Sequence, residues 1–331
     1  MQIYRTHYDT AKVAHRVVPT RPPQPRWTGT SSGHHTVARY VAAARSAATR
    51  RAYAHDIAHF KSAGFCIPCT GHHVARYLAK FAPTLAVATL RRRLTAISHA
   101  HTAINRPSPA ASDLVKTVMR GIRRSKGTTQ RKVQALDIRA LITTLKAQKQ
   151  CDATSTAIWL RNRALLLVGF AGAFRRAELT NLSLGDVRWL RSGIEVTVRQ
   201  SKTDQEAVGR KVFILKSRGD SACCPVRALA RWIDFAAITT GPLFRSVDRH
   251  GNVADRGMHP SSVADIVKRA VALAGFDASA FSGHSLRAGY VTAATVANVP
   301  IWQIKRVTGH KSDDVVARYV RVVGASAVRL L

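Results

Sequence analysis

From Ser125 to Lys132 the chain reads Ser-Lys-Gly-Thr-Thr-Gln-Arg-Lys, with no apolar side chain of any size and three basic ones. A hydrophobic core cannot be carried through such a stretch, so the apolar residues on its two sides must be buried separately. At roughly 100–200 residues per domain, a chain of 331 residues has room for two, and 46% hydrophobic residues supply material for two cores. Residues 125–134 therefore read as a linker, 33–124 as one domain and 135–331 as another. Residues 1–32, with Pro19, Pro22, Pro23 and Pro25 near their end, read as a flexible basic arm.

The first domain shows only the helical period. Val37, Tyr40, Val41 and Ala44 recur at that spacing, and so do Tyr53, Ile57 and Phe60 within Ala47 to Phe60. Gly64 and Pro68 break the pattern, and His73 to Phe81 resumes it with Val74, Tyr77, Leu78 and Phe81. In Val87 to Ile104, Leu90, Leu94, Ile97 and His101 are expected to face inward, with Arg91, Arg92 and Arg93 on the opposite, solvated face. A last helix over Ala111 to Arg123 is expected to bury Leu114, Val118 and Ile122.

The second domain changes period. Leu136 to Lys149, Thr156 to Phe170 and a short segment from Ala177 to Leu182 read as helices. Ile194 to Val198 and Lys211 to Leu215 alternate like strands, joined by the mostly polar Ser201 to Gly209, and Val187 to Leu190 reads as a shorter first strand. Helices return over Val226 to Ala237, Ser261 to Ala274, Ser285 to Val299 and Pro300 to Val307, with a short helix around Asp313 to Val320. The expected class is mainly α: an all-α domain followed by a mainly-α domain with a small antiparallel β-sheet.

Charge restricts the partner. The chain has 52 Lys and Arg against 18 Asp and Glu, a net of +34. Residues 33–125 hold 15 basic and two acidic residues, a net of +13, and residues 126–331 hold 32 and 15, a net of +17. Both domains are thus basic, which excludes a single basic tail and suits a polyanion such as duplex DNA, with about one charge per 1.7 Å of axis. The longest apolar run, Ala164 to Phe174, has 11 residues, short of the ~20 that span a bilayer, and the N-terminus lacks the apolar core of a signal peptide. The five cysteines read as reduced cytosolic thiols. Cys66, Cys69, His72 and His73 have the wrong spacing for a zinc finger and read as a loop before a helix.

Four polar clusters mark the second domain. Arg175 ends an apolar helix with Glu178 three residues on; Lys202 sits in the hairpin loop; His284 and Arg287 share an i, i+3 spacing; and Gly309-His310 precedes Tyr319 by nine residues. Each alone reads as ordinary surface chemistry, and Tyr319, beside Val315 and Val316, as a core tyrosine. Together they suit attack on a phosphodiester. Tyrosine oxygen attacks phosphorus, arginines and His310 stabilise the non-bridging oxygens, and lysine and histidine move protons. Fixed donors replace a metal, and neither metal nor cofactor is expected.

The order Gly-Ala-Phe-Arg175-Arg-Ala-Glu178-Leu-Thr-Asn-Leu182-Ser-Leu-Gly-Asp186, Ser-Lys202-Thr-Asp, Gly-His284-Ser-Leu-Arg287-Ala-Gly, Thr-Gly-His310 and Arg-Tyr319 resembles the tyrosine recombinase (phage integrase) family. The spacings of 23 residues from Arg287 to His310 and nine to Tyr319 fit it. The first domain is similar to the family's core-binding (SAM-like) domain through Thr49-Arg-Arg-Ala-Tyr53, Leu90 to Ile97 and Val118 to Arg124.

The resemblance implies site-specific recombination of double-stranded DNA through a 3′-phosphotyrosyl intermediate, in integration or excision. It implies Tyr319 as nucleophile, Arg175 and Arg287 as the phosphate clamp, and His284 as acid/base. His310 would be a hydrogen-bond donor to the phosphate, Lys202 the general acid and Glu178 a support. It further implies a homotetramer on two sites, in the cytoplasm with the nucleoid, with the Arg91–Arg93 helix against DNA. A type IB topoisomerase, which shares the chemistry, and a non-catalytic DNA-binding protein on the same scaffold stand as alternatives.

Overall fold

The computed structural model describes Tyr40 and residues 44–127, 134–138, 142, 156–199, 209–217 and 223–320, except the side chains of 315 and 318–320. The chain divides into two compact units, Met1–Gln130 and Arg131–Leu331. The N-terminal arm, most of the helix expected over Leu136 to Lys149, and nearly all of the Ser201 to Gly209 loop lie outside the described residues.

The first unit is helical: α1 (Ala47–Ser62), α2 (Gly71–Phe81), α3 (Val87–Thr102) and α4 (Asp113–Lys126). Each helix starts where the sequence offers a break or cap. Ser46 accepts the Thr49 amide at 3.2 Å, Thr70 and His73 form a reciprocal capping box, and Ser112 accepts the Val115 amide at 3.4 Å. The core joins Phe60, Val74, Tyr77, Leu78, Leu90, Ile97, Val115 and Met119. At the end of α4, Lys126 Nζ donates to the carbonyls of Ala82, Pro83 and Leu85. It thereby fastens this last turn to the chain that leaves α2.

Two expectations about helix faces are corrected here. Leu114 is exposed, and α4 buries Val115 and Met119 with Val118 and Ile122 packed beside them. Arg93 is not on the solvated face with Arg91 and Arg92: it is 5% exposed. At 100° per residue, three successive residues sweep 200° of the helix. Arg93 thus falls in the inward row Leu90, Arg93, Ile97, His101. Its Nη1 donates to Tyr77 Oη at 2.8 Å, and its Nε lies 3.6 Å from Asp56, which is itself buried. Arg92 grips the same carboxylate with two hydrogen bonds of 2.8 and 2.9 Å while half its side chain stays exposed. Arg91 is exposed.

The second unit is built on α5 (Thr156–Ala171), whose residues from Ala164 to Gly169 are all buried, as an all-round apolar helix requires. Against it pack α7 (Pro225–Phe235) and α9 (Ser285–Val296). After α5 come the single turn α6 (Arg176–Thr180), then β1 (Val187–Leu190), β2 (Gly193–Val198) and β3 (Arg210–Leu215). These strands form an antiparallel sheet in the order β1-β2-β3, with Val196 opposite Val187 and Val212. Ile194, Val196, Val198, Val212 and Ile214 join the core. On the other face Glu195 is covered by Arg188 at 3.1 Å and Lys211 at 3.3 Å, the alternation that a half-buried sheet produces.

A second ribbon, β4 (Arg245–Val247) with β5 (Val253–Gly257), has no counterpart in the sequence reading. It is short and polar, and Arg245 bonds Asp255 across it at 2.6 Å. The unit closes with α8 (Pro260–Leu273), α9, α10 (Ile301–Thr308) and α11 (Asp313–Val320). The helix α9 stops at Val296, three residues before the expected end, and Asn298 then turns the chain with φ 53°. No described helix is long and apolar enough to cross a membrane.

Candidate active site

The site begins where α5 runs out. In the turn Gly172-Ala173-Phe174, Ala173 is held at φ 49°, a left-handed conformation that costs a residue with a Cβ on the order of 1 kcal/mol. Its carbonyl accepts Arg287 Nη1 at 2.9 Å. Arg287, on the first turn of α9, is only 1% exposed. The bond ties α9 to the turn that precedes Arg175.

Arg175 is the N-cap of α6 and Glu178 its third residue. The carboxylate reaches back in capping-box fashion, Oε2 accepting the Arg175 amide at 3.0 Å, while Oε1 accepts Arg175 Nη1 at 2.5 Å. A further arginine, Arg210 at the start of β3, donates Nη2 to Oε2 at 2.8 Å. Burial pushes the Glu178 carboxyl up, but Arg210 and Arg175 outweigh it and hold the pKa below the usual carboxylate range. The carboxylate is thus charged, and it orients two guanidinium groups.

The two histidines arrive from other segments. His284 directly precedes α9, after Gly283, where a Cβ would come within 2.4 Å of Arg176 Cδ, so a larger residue there would push the Arg176 side chain aside. His310 follows Gly309, which ends α10 at φ 68°. Both imidazoles are held below the ordinary histidine pKa. For His284 the causes are burial, then Arg287, Arg175 and Arg176. His310 is pushed down to about 3 by burial, then Arg287, Arg175, His284 and Arg210. Both rings are therefore neutral at pH 7.

Thr308 sets the His310 tautomer. Its Oγ1 donates its one proton to the Ile304 carbonyl at 2.8 Å, so at 3.0 Å from His310 Nδ1 it must accept. Nδ1 then carries the hydrogen and Nε2 is the unprotonated nitrogen.

Of the sequence-derived residues, Arg175, Glu178, His284, Arg287 and His310 lie in one cationic cluster drawn from three separate stretches of chain. Lys202 lies outside the described residues, and so does the side chain of Tyr319, whose backbone belongs to α11. That helix packs on α9 and α10 through Val316, buried with Val291, Ala294 and Ile304. Two members were missed from the sequence, Arg210 and Thr308. Arg210 is followed by Lys211, which is equally basic, so local sequence does not separate them; Thr308 was passed over within the Thr-Gly-His310 motif. Among the described residues no group of three His, Cys, Asp or Glu is placed to hold a metal. Buried guanidinium groups beside neutral imidazoles make a cluster suited to a phosphate and to proton transfer around it.

Comparisons with known proteins agree in kind. The phage integrase family model matches residues 131–324. The chain is 36% identical to the integrase/recombinase xerD homolog of Selenomonas ruminantium over 282 residues, covering 82% of this chain and 81% of that one. It is 26% identical to the recombinase cre of Escherichia phage P1, covering 75% of each. In fold it is similar to the XerH site-specific recombinase bound to palindromic difH substrate, with TM-score 0.58, 18% identity, and coverage of 77% of this chain and 69% of that one. It is also similar to a lambda integrase tetramer bound to a Holliday junction, with TM-score 0.56, 16% identity, and coverage of 86% and 76%. With more than half of its length matched and a relative above 30% identity over most of it, the chain belongs to the phage integrase family and is a tyrosine recombinase, an enzyme that breaks and rejoins DNA strands.

Proposed function

We propose that Tyr319 attacks the scissile phosphate of double-stranded DNA, forming a 3′-phosphotyrosyl bond as the bond from phosphorus to the 5′ oxygen breaks. His284, kept neutral by burial and the cations around it, accepts the phenolic proton. Lys202 protonates the departing 5′ oxygen. Arg175 and Arg287 bind the non-bridging oxygens as charge develops on them, and Glu178 keeps the Arg175 fork in register. The Nδ1–H of His310 donates to Thr308 and Nε2 carries no hydrogen, so Nε2 donates to a non-bridging oxygen only after taking up a proton. The negative phosphate favours that uptake. Attack by the 5′-hydroxyl of a partner strand reverses the sequence, releasing Tyr319 and joining the strands. The phosphotyrosyl bond conserves the energy of the phosphodiester.

The observation that carries this reading is the gathering of Arg175, Glu178, His284, Arg287 and His310 about one point. Residues 33–124 act as a DNA-binding domain, with Arg91 and Arg92 facing phosphate and Arg93 bracing their helix from inside; residues 125–134 are the linker, and 135–331 the catalytic domain. A homotetramer on two DNA sites is supported by the lambda integrase tetramer on its Holliday junction, and an enzyme whose substrate is DNA acts where that DNA lies, in the cytoplasm with the nucleoid. A nicked suicide substrate carrying the chain's own site tests the chemistry. The wild type traps a covalent adduct and Tyr319→Phe traps none. An adduct that persists in Tyr319→Phe sinks the nucleophile assignment. A relaxation assay on supercoiled plasmid lacking the site distinguishes the topoisomerase alternative, which relaxes it.

A further inference from the structure

The reaction above gives no part to Arg210, although it is as deeply placed in the cluster as Arg175: its side chain is 16% exposed against 20% for Arg175. Its guanidinium joins three elements. Nη2 donates to Glu178 Oε2 in α6 at 2.8 Å, and Nη1 donates to the Val307 carbonyl in the last turn of α10 at 2.9 Å. The group lies over the buried Phe174 ring, 5.9 Å from its centroid. The backbone leading to His310 closes onto the same side chain. At Gly309, already at φ 68°, an added Cβ would meet Arg210 Nε at 3.0 Å and Cδ at 3.1 Å. Both terminal nitrogens thus bond protein acceptors on opposite sides. One belongs to the carboxylate that orients Arg175, the other to a residue three positions before His310.

We propose that Arg210 is a positioning residue for strand cleavage: it locks the Glu178–Arg175 pair to the Gly309–His310 turn, so that the two halves of the phosphate site keep one spacing. Arg210 also opens β3 eight residues after Lys202, and it thereby anchors the strand that receives the Lys202 loop. This rests on the catalytic reading given above. A lysine in its place keeps a charge and much of the stem over Phe174. It has no planar fork to bond two acceptors on opposite sides, so it separates geometry from charge.

The test is single-turnover cleavage of the nicked suicide substrate at saturating protein, across pH, for wild type, Arg210→Ala and Arg210→Lys, with thermal melting of each. A displacement of about 1 Å in a reacting group costs about 100-fold in rate, and Arg210→Ala is expected to lose about that much. The alkaline limb of its rate profile, set by loss of the His310 proton, moves to higher pH, because His310 loses one of the cations facing it and keeps Arg287, Arg175 and His284. Arg210→Lys melts near the wild type, returns the alkaline limb toward its wild-type position and still cleaves at least 10-fold slowly. Either variant cleaving like wild type overturns the proposal. So does a slow Arg210→Ala with an unmoved pH profile, which marks a merely structural arginine. If Arg210→Ala does not fold, Arg210→Lys decides alone through its rate. Absence of an adduct in the wild type would instead overturn the catalytic reading on which this one stands.

Discussion

Each unit of this protein buries one carboxylate under two arginines, and the two arrangements do different things. In the first unit Asp56 on α1 takes Arg92 and Arg93, neighbours on α3. Arg93 goes on to Tyr77 on α2, so the cluster braces three helices of one core. In the second unit Glu178 takes Arg175 and Arg210, which come from different elements. Around that pair sit Arg287, His284 and His310, and burial, with the crowding of cations, keeps the imidazoles neutral. A carboxylate with two arginines is therefore no sign of catalysis. The first cluster even holds a histidine of its own, His59, bonded by Arg93 at 2.9 Å and held below its ordinary pKa by burial and by Arg93. What separates the second is that it gathers two such imidazoles and Arg175, Arg210 and Arg287 from stretches far apart in the chain.

Removing the carboxylate charge from each cluster is the strongest way to break the comparison. Glu178→Gln leaves two guanidinium groups without their anion at the site, and cleavage on the suicide substrate falls by about 100-fold. Asp56→Asn costs the first unit on the order of 3 kcal/mol, the scale for breaking a buried ion pair, seen in denaturant unfolding. At saturating DNA and a temperature where the variant is folded, it cleaves within a few-fold of wild type. Equal losses of rate in both variants would erase the distinction.

The pH response is a smaller effect. His310 has a folded pKa of about 3, below the 6.5 of the free side chain. Between these values the unfolded chain binds more protons, so this group's stabilisation is complete above about pH 6.5 and is lost as pH falls toward 3. Melting temperature in the absence of DNA declines over that window, and less steeply in His310→Gln. A His310→Gln melting curve that follows the wild type at every pH would contradict the depressed pKa.

The smallest effect concerns the outer face of α3. Arg91→Ala leaves the melting temperature unchanged, weakens DNA binding and lowers the slope of log affinity against log salt by about 1, the share of a single phosphate contact. Arg93→Ala does the reverse in character: it lowers the melting temperature by removing the Tyr77 bond and leaving Asp56 with one partner. If both substitutions change only the salt slope, the burial of Arg93 has no energetic weight.

These contrasts mark what could be read from the chain. The inward row of α2, Val74, Tyr77, Leu78 and Phe81, and the alternation of β2 and β3 were legible because period and burial are local properties. Arg175, Glu178, His284, Arg287 and His310 were legible as an ordered set because each stands in a short motif at a fixed interval. The same local reading put Arg93 outside, because an arginine in a run of three looks solvated until the rotation from Leu90 is followed. It also missed the polar ribbon of β4 and β5, whose few valines show no alternation.

The sequence by itself determined a mainly α chain with one small sheet, a polyanionic partner, and the chemical types of the residues that meet a phosphate. Tertiary structure alone decided which cation belongs to which anion. Arg210 reaches Glu178 across 32 residues and Val307 across 97, and Arg287 reaches Ala173 across 114. Hydrogen bonds over such separations exist only after the core has brought the elements together, because their short range leaves no trace in local period or composition.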